Sequence, residues 1–172
     1  RAQRRGKSLR FHIPPAGWAF FAVSVMIGVA AANTQTALTF VLFGGMLGAM
    51  HVSLLLGWRT IGGTSVRRDM VPRAWQNQTV HLSYHLRSRR GRGPALGLSV
   101  VEDAPDGVQF ARGYCLHLPA GAAFRSGGRF VARRRGRIRL GAIRLATRFP
   151  FGLLETYRRF DQPASLVVWP AR

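Results

Sequence analysis

Between Phe11 and Trp58 the chain carries no Asp, Glu, Lys or Arg. Two apolar runs fill this stretch, "PAGWAFFAVSVMIGVAAA" from Pro15 to Ala32 and "ALTFVLFGGMLGAMHVSLLLGW" from Ala37 to Trp58, with "NTQT" between them. A hydrocarbon core of about 30 Å takes about 20 residues of helix at ~1.5 Å rise per residue. Lipid offers backbone amides no partner, so each run is expected to be a helix and the pair a two-helix transmembrane hairpin in a lipid bilayer.

Charge sets the expected orientation. The tail, residues 1–14, holds Arg1, Arg4, Arg5, Lys7 and Arg10, and Arg59, Arg67, Arg68 and Arg73 follow the second run, whereas the connecting loop has no charge. Basic flanks stay cytoplasmic, so both termini are expected on the cytoplasmic side of a bacterial inner membrane. Trp18 and Trp58 then fall at one interface, where aromatic anchors concentrate. A competing reading takes the basic start, apolar core and "AAA" before Asn33 as a cleavable signal, with Arg4 and Arg5 as a twin-arginine element; the second run would still anchor the chain.

Within the hairpin, Gly44 and Gly48 on the second helix and Ser24 and Gly28 on the first give small-xxx-small faces that permit close packing, either inside one chain or between copies in a homo-oligomer. His51 is the only readily ionisable side chain in a span, which makes it a default functional candidate as part of a transport subunit. The plainer reading is a neutral ring bonded to Ser24, Asn33 or Ser53.

After a short linker expected at 59–63, residues 64–172 change period from helical to two. In "TVHLSYHLR", Val80, Leu82, Tyr84 and Leu86 are expected on one face, and Thr79, His81, Ser83, His85 and Arg87 on the other. The same reading puts Leu96, Leu98 and Val100 inward, then Tyr114, Leu116 and Leu118 with Cys115 outward, then Ile138 and Leu140, Ile143, Leu145 and Phe149, with "SLVVW" closing at Trp169. Gly- and Pro-rich turns separate these runs, so about seven short strands are expected to form an antiparallel immunoglobulin-like β-sandwich.

The chain holds 26 Lys and Arg against six Asp and Glu. Twenty of the bases and all six acids lie beyond residue 60. Arg133, Arg134, Arg135, Arg137 and Arg139 are the densest group, read as a solvated surface, as contacts to anionic lipids, or as a face for an acidic partner. A membrane-localised nucleic-acid or ribosome-associated module is the alternative class, although specific nucleic-acid motifs are missing.

Catalytic constellations are not found. His81 and His85 would stand about 13 Å apart along a strand, too far for one metal ion. His12 and His117 have no partner at a ligand spacing, and the lone Cys115 cannot form an internal disulfide, which favours a reducing compartment. Glu102, Asp103 and Asp106 read as turn residues, and Glu155 and Asp161 as ion-pair partners for nearby arginines. No cofactor is expected, and the protein is read as non-enzymatic.

The segment "RRGRIRLGAIRLATRFPFGLLE", residues 134–155, followed by "LVVWP" at 166–170, resembles the bacterial membrane-protein family called domain of unknown function 58. Arg135 and Gly136, the corner Pro150, Phe151, Gly152 and Leu153, and Val168 to Pro170 match that family's Arg-Gly step, Pro-Phe-Gly-Leu corner and closing strand, with Trp169 where tyrosine is usual. The resemblance implies a membrane hairpin before an immunoglobulin-like region and a scaffold or adaptor role with a MoxR-type AAA+ ATPase as partner. It also implies a von Willebrand factor A-like domain after the closing strand, so a truncated chain or a short member is expected. From the residues alone, Pro150 should fix its φ, Gly152 should take a left-handed conformation, and Phe149, Phe151 and Leu153 should plug the end of the sandwich.

Overall fold

The computed structural model describes residues 8–69, 73–89, 91, 93–102 and 111–170. The tail residues Arg1 to Lys7, and Asp103 and Asp106, lie outside them. A short strand β1 (Arg10–His12) leads into helices α1 (Pro15–Thr34) and α2 (Ala37–Gly62). Pro15 opens α1, where its missing amide proton costs nothing, and Gln35 closes it in the left-handed region, its amide donating to Ala31. Both helices are long and apolar enough to cross a membrane, and only 17% and 11% of their most apolar windows are buried, unlike the core helix of a globular domain.

No linker follows. Residues 59–61 and Gly62 continue α2, and Gly63 caps it by donating to the Arg59 carbonyl. The reason is tertiary, because Ile61 is fully buried in the hydrophobic core of the β-region, and that burial is worth roughly 1.5–3 kcal/mol.

Eight more strands follow: β2 (Thr64–Arg68), β3 (Ala74–Trp75), β4 (Thr79–Ser88), β5 (Ala95–Glu102), β6 (Gly113–Leu118), β7 (Ala123–Val131), β8 (Gly136–Thr147) and β9 (Glu155–Trp169). One sheet has the order β1-β9-β8-β5-β6, with β3 also on β9, and the other is β2-β4-β7. Every pairing is antiparallel except β3 with β9. The inner faces share one core, Leu82, Tyr84 and Leu86 from one sheet meeting Leu98, Ile143 and Leu145 from the other. Alternation in β4 is as the sequence requires, with Val80, Leu82, Tyr84 and Leu86 buried.

Two deviations from simple alternation have identifiable causes. Along β8 the inward set changes from Ile138 and Leu140 to Ile143 and Leu145, because the β8–β9 register shifts between Leu140 and Ala142. The extra residue falls on β9 around Gln162 and Pro163, where a proline without an amide proton is tolerated. In β6 the expectation holds for Leu118, which is fully buried, and is reversed before it: Cys115 is 3% exposed, whereas Tyr114 is 62% and Leu116 84% exposed. Cys115 pairs directly with the buried Leu98, and residues directly opposite on paired strands share a face.

Candidate functional site

The corner joining β8 to β9 carries the family-like motif, and it lies against the helices. Thr147 Oγ1 donates to the Leu96 carbonyl (2.9 Å) and accepts from the Phe149 amide (3.2 Å). The Phe149–Pro150 peptide is cis, and Gly152, at φ 72°, donates its amide to the Arg148 carbonyl (2.8 Å). This turn brings the backbone of Leu153 onto Gly17 at the start of α1, so closely that a side chain there would meet the Leu153 carbonyl. Leu153 is buried but Phe151 is 59% exposed and Phe149 only half-buried. Of the three residues expected to plug the sandwich end, only Leu153 is buried, and Ile61 of α2 is the residue the hairpin adds to the core.

A second close approach fixes α2 to the same end. Gly57 lies against the Thr156 side chain, and Thr156 pairs across β8–β9 with Thr147, beside the corner. Just before α1, β1 pairs with the start of β9, His12 facing Glu155. Both helix ends thus meet one end of the sandwich. Trp18 and Trp58, each more than half exposed, stand beside these two contacts, Trp18 making an edge contact with Phe21 at 6.2 Å between ring centres.

The helix-packing residues divide. Gly28 approaches Phe43, where a Cβ would come within 2.8 Å of the ring, and the buried Ser24 donates to the Phe20 carbonyl (2.8 Å). Gly44 and Gly48 face open space instead of the first helix. His51 is exposed and its Nδ1 donates to the Leu47 carbonyl of its own helix (2.9 Å), not to Ser24, Asn33 or Ser53.

The dense arginine group is remote from the helices. Arg133, Arg134 and Arg135 lie in the β7–β8 connection, and Gly136 to Arg139 begin β8; the five arginines are exposed, while Ile138 between them faces the core. From Arg137 to Thr147, ten residues of strand at ~3.3 Å each separate this group from the corner by roughly 33 Å, several Debye lengths at physiological salt. Arg137 instead donates to Ser165 Oγ (3.1 Å). They stand at the end of the sandwich away from the hairpin.

The arginines at the helix-docked end form an ordered group. Glu155 accepts from Arg144 on Oε1 and from Arg148 on Oε2, both at 2.6 Å, and the Arg144 guanidinium lies 3.9 Å over the Tyr157 ring. Arg144, Arg148 and Glu155 line an open cleft of ≈ 250 Å³ on the outer face of the larger sheet, together with Arg112, Tyr114 and Ser99. Ion pairing of Glu155 with arginines close in sequence is legible locally, but the cleft is not, because Arg112 and Tyr114 come from β6 and the segment before it, which reach β8 only through β5.

A second polar group lies inside the core, away from the helices. Arg68 of β2 crosses between the sheets to pair with Glu102 of β5, and Tyr84 donates to Glu102 Oε2 (2.9 Å). Gln162, at the β9 irregularity, accepts from the Arg68 amide (3.0 Å) and donates to the Val66 carbonyl (2.8 Å). Glu102 is therefore not a turn residue but a buried one, completing the inward series Leu98, Val100, Glu102. Burial, and then the charge of Glu102 and the bond to it, hold the Tyr84 phenol far above the usual tyrosine range, against the opposing pull of Arg68. Extending the inward alternation of β2 (Thr64, Val66) and β5 (Leu98, Val100) by one step places both charges inside.

Among the described residues no three His, Cys, Asp or Glu side chains converge as a metal site. Burial raises the Cys115 thiol above its ordinary value. No model of a known protein family matches the chain, and no curated protein matches it.

Proposed function

We propose that this chain is a non-enzymatic scaffold of the bacterial inner membrane, with its hairpin in the bilayer, both termini cytoplasmic, and an immunoglobulin-like sandwich held against the cytoplasmic face. The observation that carries the reading is the double attachment of the helices, Gly17 on Leu153 and Gly57 on Thr156, at one end of the sandwich. A tethered domain on a flexible linker would need neither contact. Here the β-region is a rigid extension of the anchor, which suits a platform that presents a surface at a fixed height. The basic flanks Arg10 and Arg59 support the cytoplasmic orientation.

The resemblance to the domain of unknown function 58 family adds the partner class, a MoxR-type AAA+ ATPase. Protease treatment of inverted and right-side-out membrane vesicles tests the placement. Cleavage of the β-region in inverted vesicles alone is expected, and cleavage from the periplasmic side overturns it. Purification of the full-length protein in mild detergent should bring an AAA+ ATPase with it; recovery of ribosomes or nucleic acid alone would replace the adaptor role with a nucleic-acid one.

A further inference from the structure

We propose that the cleft lined by Arg112, Tyr114, Arg144 and Arg148 is a binding site for a phosphate-bearing anion, presented at the membrane surface as a phospholipid headgroup. Three guanidinium groups and a tyrosine hydroxyl line it against one carboxylate, Glu155. That carboxylate is already committed, one oxygen to Arg144 and the other to Arg148. Its role is to hold two arginines in place, and it leaves the cleft with two positive charges in excess.

Geometry favours a small tetrahedral anion. Arg144 is fixed in plane by Tyr157 beneath it, and its Nε is buried with no hydrogen-bond partner. Arg112 has no acidic partner among the described residues and stands on the opposite wall, beside the exposed Tyr114. Guanidinium groups bind phosphate oxygens in pairs through a planar fork of donors, so prearranged arginines on two walls match a phosphate better than a single carboxylate.

Position selects the lipid as source, and this part rests on the membrane reading proposed above. Arg148 belongs to the corner whose Leu153 meets α1 at Gly17, next to Trp18. The cleft therefore opens beside the point where the apolar span begins, at the depth of headgroups.

The test uses the full chain in an uncharged detergent, titrated by calorimetry with dihexanoyl phosphatidylglycerol, with dihexanoyl phosphatidylcholine and with glycerol 3-phosphate. Saturable binding of phosphatidylglycerol is expected, tighter than either comparison compound. Arg112→Gln, which breaks no ion pair among the described residues, should weaken it roughly tenfold, whereas Arg135→Gln at the far end should leave it unchanged. Glycerol 3-phosphate binding as tightly as the lipid would overturn the lipid source and keep the phosphate site. No saturable binding of any anion, or equal weakening by Arg135→Gln, would overturn the site itself. Release of the chain from membranes by alkaline carbonate would sink the anchor reading separately, since the titration does not depend on it.

Discussion

Gly17 and Leu153, far apart in sequence, are in backbone contact, and the contact leaves no room for any side chain at residue 17. It joins the first turn of α1 to the corner between β8 and β9. With Gly57 against Thr156, it makes the hairpin and the sandwich one packed unit.

Gly17→Leu should therefore separate the corner from α1, and Gly57→Leu should push α2 from β9. Each is expected to cost roughly 1–3 kcal/mol, the usual range for overpacking. Gly44→Leu, in open space, is the matched control. Thermal unfolding in detergent, followed by limited proteolysis of the β-region, reads the effect, and a wild-type melting temperature for Gly17→Leu would refute the contact.

The buried pair Arg68–Glu102 gives a second expectation. Arg68→Met leaves Glu102 buried without its cation, and breaking such a pair costs roughly 3–5 kcal/mol. The double variant Arg68→Met/Glu102→Gln should recover most of the loss, because both charges go together. Recovery is measured as melting temperature, and a double variant no more stable than Arg68→Met would show that the pair is not coupled.

Alkaline pH should act through Tyr84. Its folded pKa is raised, so the stability linked to the neutral phenol is complete below the unfolded value of about 10 and is lost as pH rises beyond it. The melting temperature should fall from about pH 10 upward. Tyr84→Phe should be less stable at pH 7, having lost the bond to Glu102, but should show a shallower decline above pH 10. Parallel curves for the two proteins would exclude Tyr84 as the source.

Cys115 should react slowly with thiol reagents while the sandwich is folded. It is 3% exposed and its thiol is raised by burial, so little thiolate is present and little of it is reachable. Labelling with iodoacetamide should become fast only in denaturant. Rapid modification of the native protein would place the side chain outside, as a reading of β6 in isolation expects.

Features that rest on local periodicity are legible in the residues alone. Pro15 to Thr34 and Ala37 onward are helices because their uninterrupted apolar runs satisfy their own backbone, and β4 buries Val80, Leu82, Tyr84 and Leu86 because neighbouring side chains on a strand point to opposite faces. Gly152 was legible as a left-handed position from the corner's composition.

Features that depend on which strand lies beside which emerge from long-range packing. Cys115 faces inward because its partner is Leu98, a fact that two equivalent alternations in "GYCLHL" cannot supply. Ile61 extends α2 because a core waits for it, Arg68 and Glu102 are inside because they meet across the sheets, and Arg112 reaches Arg148 only through the order β8-β5-β6. The dense arginines at 133–139 are at the far end because β8 carries them there. Register and strand order are set by long-range pairing, and a local period carries no information about them.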